Sequence, residues 1–241
     1  MVDLKEERQY EQLRRLAKEL HIPLPEAFLT LEVFDKDGKL IQRHHQRSHS
    51  WVRNAYNHLF TQLAGVNGDD GTFGAGKLNI KDDSGALQAG TSPIGVDWEY
   101  TVESVISSRI TSACGYRGGA GVDDIGIQVG TGTNAESFED YALQTLIVEG
   151  SGAGQLNYVE QLAPAISYAA LIMKNEMARY FNNNSGGAIG VNEVALLLKA
   201  GADGSIYQGW IQSRDKLPAT VNVPDTGQLK VTYTVQLTYP A

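Results

Sequence analysis

Three of the five histidines of the chain lie in one basic segment, residues 42–50, and histidine side chains are common ligands of metal ions. Arginines in the same segment would also suit a phosphate group. However, His44 and His45 are adjacent, and adjacent side chains of a strand point to opposite faces of the sheet. The pair therefore has poor geometry for binding one ion. We interpret the segment as a solvated polar strand end and keep a metal or phosphate site as the alternative.

The glycine-rich stretch of residues 65–76 is a second candidate for chemistry, because glycine-rich loops can surround phosphate groups. Its tail, residues 71–77, fits the front of a phosphate-binding loop. The fit fails at Leu78, where Ser or Thr would bind magnesium, and no buried strand precedes the stretch. Asp69 and Asp70 also lack the ligand spacing of a calcium loop. We interpret the stretch as a long surface loop and predict no cofactor and no metal.

Acidic residues form the remaining clusters, at Asp123 and Asp124 and again at Glu136, Glu139 and Asp140. Paired carboxylates are needed for glycoside hydrolysis, and a nucleophile needs a base beside it. No such pairing stands out from the sequence, and isolated acids of this kind are usually solvated. We therefore predict no catalytic residues and a protein that is not an enzyme.

Composition narrows the classes of function. The 241 residues carry a net charge of −8, whereas general nucleic-acid binding needs a surplus of Lys and Arg on one face. Direct nucleic-acid contact is therefore not expected. The single cysteine, Cys114, excludes an intrachain disulfide and a cysteine-based zinc site. The charged N-terminus has no signal-peptide pattern, and the apolar runs are too short to span a bilayer. We expect folding in a reducing cytoplasm and no membrane segment.

The clearest element that could position such residues is the final strand. From Leu229 to Tyr239 the odd positions are apolar or aromatic and the even ones polar, which places one face on a core. Residues 194–198 are apolar at both parities, as in a central strand covered on both faces. Turn sequences around these strands predict an antiparallel meander. Periodicity alone leaves Leu171 to Phe181 open between helix and strand.

The first quarter of the chain predicts a hairpin and a helix. Leu29, Leu31 and Val33 alternate with other residues before Asp37-Gly38, a dipeptide that suits tight hairpin turns, and Leu40 and Ile41 follow it. This pattern predicts a hairpin over residues 28–47. Ser50 can cap a helix over residues 51–64, whose broad apolar face is expected to cover one face of a sheet.

An amphipathic helix is predicted over residues 3–20, before Pro23 and Pro25 end it. Its apolar stripe needs a partner, which is either the body of the same chain or a neighbouring subunit. The stripe consists mainly of Leu4, Leu13, Leu16 and Leu20.

Several short motifs follow one another along the second half of the chain, over roughly residues 125–239. They are Ile127-Gln128-Val129-Gly130-Thr131-Gly132-Thr133, Asp140-Tyr141-Ala142-Leu143, Gly154-Gln155-Leu156-Asn157-Tyr158, Phe181-Asn182-Asn183-Asn184-Ser185-Gly186-Gly187, Val191-Asn192-Glu193-Val194-Ala195-Leu196, Arg214-Asp215-Lys216-Leu217-Pro218 and the last strand. In this order they resemble structural proteins of tailed bacteriophages, and the resemblance depends on the order of the motifs more than on any one of them. The hairpin and Ser50-Trp51-Val52-Arg53 are similar to the front of such proteins.

The resemblance implies a β-sandwich virion component without catalytic activity that assembles symmetrically, and it implies a strand at Leu171 to Phe181. We therefore expect a mainly β protein. An antiparallel β-sandwich domain would span residues 26–241, including hairpin 28–47 and helix 51–64, and a helical arm would span residues 1–25.

The expected function is a structural component of a tailed phage particle, made in the host cytoplasm and located in the virion. It would form a homo-oligomer and contact other virion proteins: capsid, portal or neck, or tail subunits. A capsid or neck position is favoured because no coiled-coil or repeat segment suits a fibre shaft. The candidate subunit contacts are Leu4, Leu13, Leu16, Leu20, Arg43, Arg47 and Arg53.

Two alternatives remain. One is a tail, baseplate or fibre attachment protein. The other is a carbohydrate-binding β-sandwich or enzyme in which Trp98, Tyr100 and Trp210 line a groove.

Overall fold

Two larger antiparallel sheets, one two-stranded ladder and two helices are the regular elements of the described part of the chain. The computed structural model describes residues 4–48, 50–64, 80–88, 116–202 and 206–239. The glycine-rich stretch 65–76, Trp98, Tyr100 and Cys114 lie outside these residues. The elements are α1 (Leu4–Glu19), β1 (Leu24–Phe34), β2 (Leu40–Ser48), α2 (Arg53–Ala64), β3 (Ile80–Lys81), β4 (Leu87–Gln88), β5 (Gly126–Gly130), β6 (Asn157–Tyr158), β7 (Ala165–Ala169), β8 (Ile172–Asn182), β9 (Ile189–Ala202), β10 (Ile206–Val223) and β11 (Gln228–Thr238).

Sheet A has the strand order β2-β1-β11-β8, and β6 and β7 both pair with the far side of β8. Sheet B has the order β10-β9-β5, and β3 pairs with β4 in a separate small ladder. Apolar side chains from the facing sides of sheets A and B form one buried core. This architecture, with its N-terminal helix, confirms the predicted fold class.

β11 is a central strand of sheet A, paired with β1 on one side and β8 on the other. Leu229, Val231 and Tyr233 are fully buried between the sheets, as the alternation predicts. Likewise β9 lies between β10 and β5, and its run from Val194 to Leu198 is buried throughout. The predicted both-faces-covered strand is therefore confirmed.

The predicted meander is wrong, because the last four strands are divided between the two sheets. β8 and β11 pair in sheet A, whereas β9 and β10 pair in sheet B. Asn183 holds the two crossovers together: its Nδ2 donates to the carbonyls of Gly187 and Val223, and its backbone N–H donates to Gly227 O. Turn residues show where strands end, but they do not choose the partner strand.

The hairpin β1–β2 turns over residues 35–39, where Gly38 takes a φ of +74° and Asp35 Oδ1 accepts the N–H groups of Asp37 and Lys39. β8 is a strand, as the resemblance implies. α2 begins at Arg53 because Trp51 and Val52 instead pair with β10, through a bridge to Ser213 and the N–H of Val52.

The apolar face of α2, which was expected to cover one face of a sheet, is only partly covered itself. Val52, just before the helix, is buried against Ala195 and Ile211 on the outer face of sheet B. Tyr56 and Phe60 are about half exposed, as is Leu59.

A fully buried arginine, Arg179, lies on the core side of β8 beside Met177 and Phe181. Its guanidinium donates hydrogen bonds to backbone carbonyls of residues that are distant in the sequence. The Cζ of the guanidinium lies 4.7 Å from the ring centre of Tyr158. Burial lowers the pKa of Arg179 to about 10, so the group stays charged at neutral pH. The five acceptors are the carbonyls of Gly119, Val122, Ile125, Ile127 and Val159.

A second buried network joins Glu193 of β9 to Arg214 of β10, with Nε donating to Oε2 at 2.7 Å. Arg214 also donates to Asp140 Oδ2 at 2.9 Å. Glu193 Oε1 accepts the N–H groups of Gly132 and Thr145. These hydrogen bonds hold residues 131–146 against the outer face of sheet B.

Candidate assembly surface

α1 lies on the outer face of sheet A and is attached there by ion pairs. Arg47 of β2 donates from Nη1 to Glu26 Oε1 at 2.6 Å and from Nη2 to Glu7 Oε2 at 2.7 Å. Arg14 of the helix donates from Nη2 to Glu26 Oε1 at 2.8 Å. The guanidinium of Arg47 also lies 3.8 Å from the ring centre of Tyr10. The helix therefore docks through its polar side.

The leucines of α1 are not what attaches the helix to the sheet. Leu13, Leu16 and Leu20 are spaced by three and four residues, so they share one face, and Leu4 lies on another. None of the four contributes to a buried core: Leu4 is 75 % exposed and Leu20 is 64 % exposed. The helix packs on its own chain, while its leucines remain candidates for contact with another chain.

The three arginines of the candidate set have different surroundings. Arg43 is exposed and lies 3.6 Å from Glu32. The side chain of Arg47 is only 7 % exposed and is held within the chain by Glu7 and Glu26, so we leave it out of the contact surface. Arg53 pairs with Glu139 through its Nε at 2.7 Å.

The ion-pair network lowers the pKa values of Glu26 and Glu7. Burial by itself raises the pKa of Glu26, but hydrogen bonds from Arg14 and Arg47 outweigh it and lower the pKa below the ordinary value of 4.5. A hydrogen bond from Arg47 is the main cause of a lowered pKa for Glu7. Groups with lowered pKa values stabilise the folded form fully above their ordinary pKa and lose that effect as the pH falls through the folded value.

We expect Glu26→Gln to weaken the docking of α1 by about 2 kcal/mol. The substitution removes the negative charge that accepts hydrogen bonds from Arg14 and Arg47, and hydrogen bonds to charged groups contribute about this much. At pH 7, trypsin should then cleave within residues 8–18 at least about tenfold faster than in the wild type, since cleavage follows the undocked population. Lowering the pH of the wild type below 4.5 should likewise loosen α1, measured by hydrogen exchange of residues 4–19.

Glu32→Gln is the matched control, because Glu32 lies on the same face of β1 but pairs with Arg43 and Lys230 only at 3.6 Å. Equal cleavage rates for the two variants would contradict the role of the network.

The histidine segment adopts the predicted strand arrangement. His44 and His45 are opposite Leu31 and Thr30 in the β2–β1 register and so lie on opposite faces. His45 contacts Thr30 Oγ1 through Nδ1 at 2.8 Å, and burial lowers its pKa. Within the described ranges, no cluster of three or more His, Cys, Asp or Glu side chains is arranged to bind a metal ion.

A cavity of about 530 Å³ lies between sheet A, α2 and β10, lined in part by Ser48, His58 and Gln212. At its edge Ser48 Oγ donates to Asp215 Oδ2 at 2.8 Å, and Tyr233 OH donates to Ser213 Oγ at 2.8 Å. Because these residues come from β2, β10 and β11, the cluster joins the two sheets. Trp210 is fully buried against Ile80 and Leu198, so it does not line a carbohydrate groove.

Exposed apolar side chains gather at one end of sheet A, around the hairpin β7–β8. Tyr168 and Tyr239 are in ring contact, with centroids 6.1 Å apart, and the N–H of Tyr239 donates to Leu171 O. Ile22 and Leu171 line one small cavity with Tyr239. Every residue of β7 is exposed, with Ile166 at 70 % and Tyr168 at 58 %. We call this surface the apolar end; its residues are Ile22, Ile166, Tyr168, Leu171, Met173 and Tyr239.

The tip of the hairpin keeps apolar residues at a cost in backbone energy. Ala170 and Leu171 have φ values of 49° and 64°, and a turn with two positive φ angles normally carries Asn-Gly. A left-handed non-glycine residue costs about 1–2 kcal/mol. Backbone strain clusters at functional positions, so the turn is a candidate contact.

The apolar end is absent from the sequence-based predictions, although residues 161–173 carry no charged side chain. That uncharged run was the available signal. The part of the chain that the structure describes has no helix of the length and apolar character needed to cross a membrane.

Comparisons of the chain with protein-family models, with curated proteins and with solved structures found no match.

Proposed function

We propose that the chain is a non-enzymatic structural subunit of a tailed-phage particle, located on the capsid or neck and present in multiple copies. The observation that carries the proposal is the apolar end, because contiguous exposed apolar surfaces mark contacts with other chains. The exposed leucines of α1 and Arg43 offer further contacts. The proposed partners are other copies of this chain and capsid, portal, neck or tail proteins.

The assignment to a phage particle rests on the ordered motifs of the second half, and their positions support it. Four of the motifs, separated by up to some eighty residues, meet at the buried network of Glu193 and Arg214. An added Cβ at Gly130 would lie 2.6 Å from Glu193 Oε1, which explains a glycine there. The motifs thus encode one packing arrangement, as expected of a scaffold that presents its surface to neighbours.

Mass spectrometry of purified particles tests the proposal. The expected result is that peptides of this chain are present in the virion at a fixed ratio to the major capsid protein. A ratio close to one indicates capsid decoration, and a much smaller ratio indicates a neck or tail ring.

The control is a lysate that contains the protein but no particles, taken through the same gradient, because it measures carry-over. Absence of the chain from washed particles, or equal amounts in both preparations, would refute the structural role.

A further inference from the structure

We infer that two copies of this chain pair edge to edge through β7, in antiparallel orientation, so that sheet A continues from one copy into the other. The inference rests on the proposed function for its setting and deepens it by naming a second copy as the occupant of the apolar end.

The two edges of sheet A differ in how they are protected. At the β2 edge, Gln42 and Gln46 donate to the carbonyls of Thr220 and Lys216 in β10, so the neighbouring sheet covers that side. At the other edge, β7 pairs only with β8 among the described strands. An uncharged, uncovered edge strand is a template for pairing with another chain.

The hairpin geometry fixes which groups of β7 point outwards. Ala169 and Ile172 flank a two-residue turn, and such turns are closed by a hydrogen-bonded pair. Hydrogen bonding to β8 then recurs at Ser167 and Ala165. The N–H and C=O groups of Ile166 and Tyr168 therefore face away from β8.

The strand is complementary to itself, which is what a two-fold symmetric interface requires. Residues 165–169 are Ala-Ile-Ser-Tyr-Ala, so that small and large side chains alternate in the same order on either side of Ser167. With the axis at Ser167, Ile166 of each copy lies opposite Tyr168 of the other. These are the residues with outward groups, so they would exchange about four backbone hydrogen bonds. Aromatic with β-branched pairs are also favourable across strands.

The charges beside β7 permit the approach of a second acidic chain. The nearest charged side chains, Lys174 and Glu176 on β8, pair with each other at 2.9 Å, so this edge is locally neutral. Tyr168, Met173 and Leu237 form a lateral row of apolar residues, which would continue across the axis. An interface of one short strand is small, so we expect a dissociation constant on the order of micromolar.

Sedimentation velocity of the full chain over a concentration series is the first test. The wild type should shift from monomer to dimer, and Tyr168→Lys should raise the dissociation constant at least about tenfold, because an edge lysine opposes pairing. Leu40→Lys is the matched control: Leu40 is also an exposed apolar strand residue, but it lies in β2. It should dimerise like the wild type.

A thiol at the axis gives a second test that reports the register. In a Cys114→Ser background, Ser167→Cys should form a covalent dimer on mild oxidation, because opposed residues of a non-hydrogen-bonded pair are about 4.5 Å apart. Ala165→Cys should yield at least about tenfold less, since residue 165 lies opposite residue 169 and the two thiols are about 13 Å apart.

A wild type that stays monomeric throughout the series, dimerisation that Tyr168→Lys leaves unchanged, or equal cross-linking of the two cysteine variants would each overturn the inference. None of these measurements depends on whether the chain is found in virions, so failure of the pairing and failure of the proposed function are distinguishable.

Discussion

Replacing Arg179 with methionine should destabilise the fold by about 3–5 kcal/mol, because five buried backbone carbonyls lose their hydrogen-bond donor at once. Methionine fills a similar volume, so the loss is mainly one of hydrogen bonds and not of packing. The measurement is urea unfolding of the full chain. Limited proteolysis within residues 117–127 reports separately on the segment whose carbonyls Arg179 holds. The carbonyls of Gly119, Val122 and Ile125 lie in that segment.

Arg43→Met is the matched control, since Arg43 occupies a strand of the same sheet but is exposed and pairs only weakly with Glu32. It should change the free energy of unfolding by less than about 0.5 kcal/mol. Arg179→Lys adds a test of geometry, because a single ammonium group keeps the charge but cannot reach all five acceptors. Equal unfolding midpoints for Arg179→Met and Arg43→Met would contradict the role of Arg179.

The burial of Arg179 was not predicted from the sequence. Met177 and Phe181 are apolar and fit the inward positions of an alternating strand, and Arg179 lies between them at the same parity. A charged residue at an inward position of an alternating strand is therefore a usable signal for a buried cation. Its acceptors could not be predicted, because they are backbone carbonyls, which every residue type has and which carry no side-chain signature.

Local patterns predicted elements better than their partners. The alternation of β11 and the both-faces-apolar run of β9 follow from burial on one or two faces, so they can be read from residue types alone. Strand order depends on packing between distant segments, and the meander expected from the turns was wrong for that reason. The orientation of α1 could not be predicted from its leucines either, because the face of sheet A beneath it presents Glu26 and Arg47.

The contact between Glu193 and Arg214 could not be predicted from the sequence either. The motifs that contain these residues were recognised by their order along the chain, but nothing in the sequence indicated that they meet. Asp140 was interpreted as a solvated acid, whereas it accepts a hydrogen bond from the buried Arg214 at 2.9 Å. An ion pair between two strands can be recognised only once the register of the strands is known, here that of β9 against β10.

Replacing Glu193 with alanine should cost about 3–5 kcal/mol, because it leaves a buried guanidinium with one carboxylate fewer and removes the acceptor of three backbone N–H groups. Those N–H groups belong to Gly132, Gln144 and Thr145, so residues 131–146 should detach from sheet B. We expect cleavage there to accelerate in limited proteolysis, together with a lower urea midpoint. Glu32→Ala, at a partly exposed strand position whose ion pairs are 3.6 Å long, should change the free energy of unfolding by less than about 1 kcal/mol.

A double-mutant cycle separates the ion pair from a general loss of packing. Arg214→Met in the Glu193→Ala background removes the cation that has lost its buried carboxylate, so the double variant should be less destabilised than the sum of the two single variants, by at least about 1 kcal/mol. The reason is that a buried charge costs most when only one partner is removed. Additive effects would mean that Glu193 and Arg214 act independently. In that case the 2.7 Å contact between them would not be what holds residues 131–146 in place.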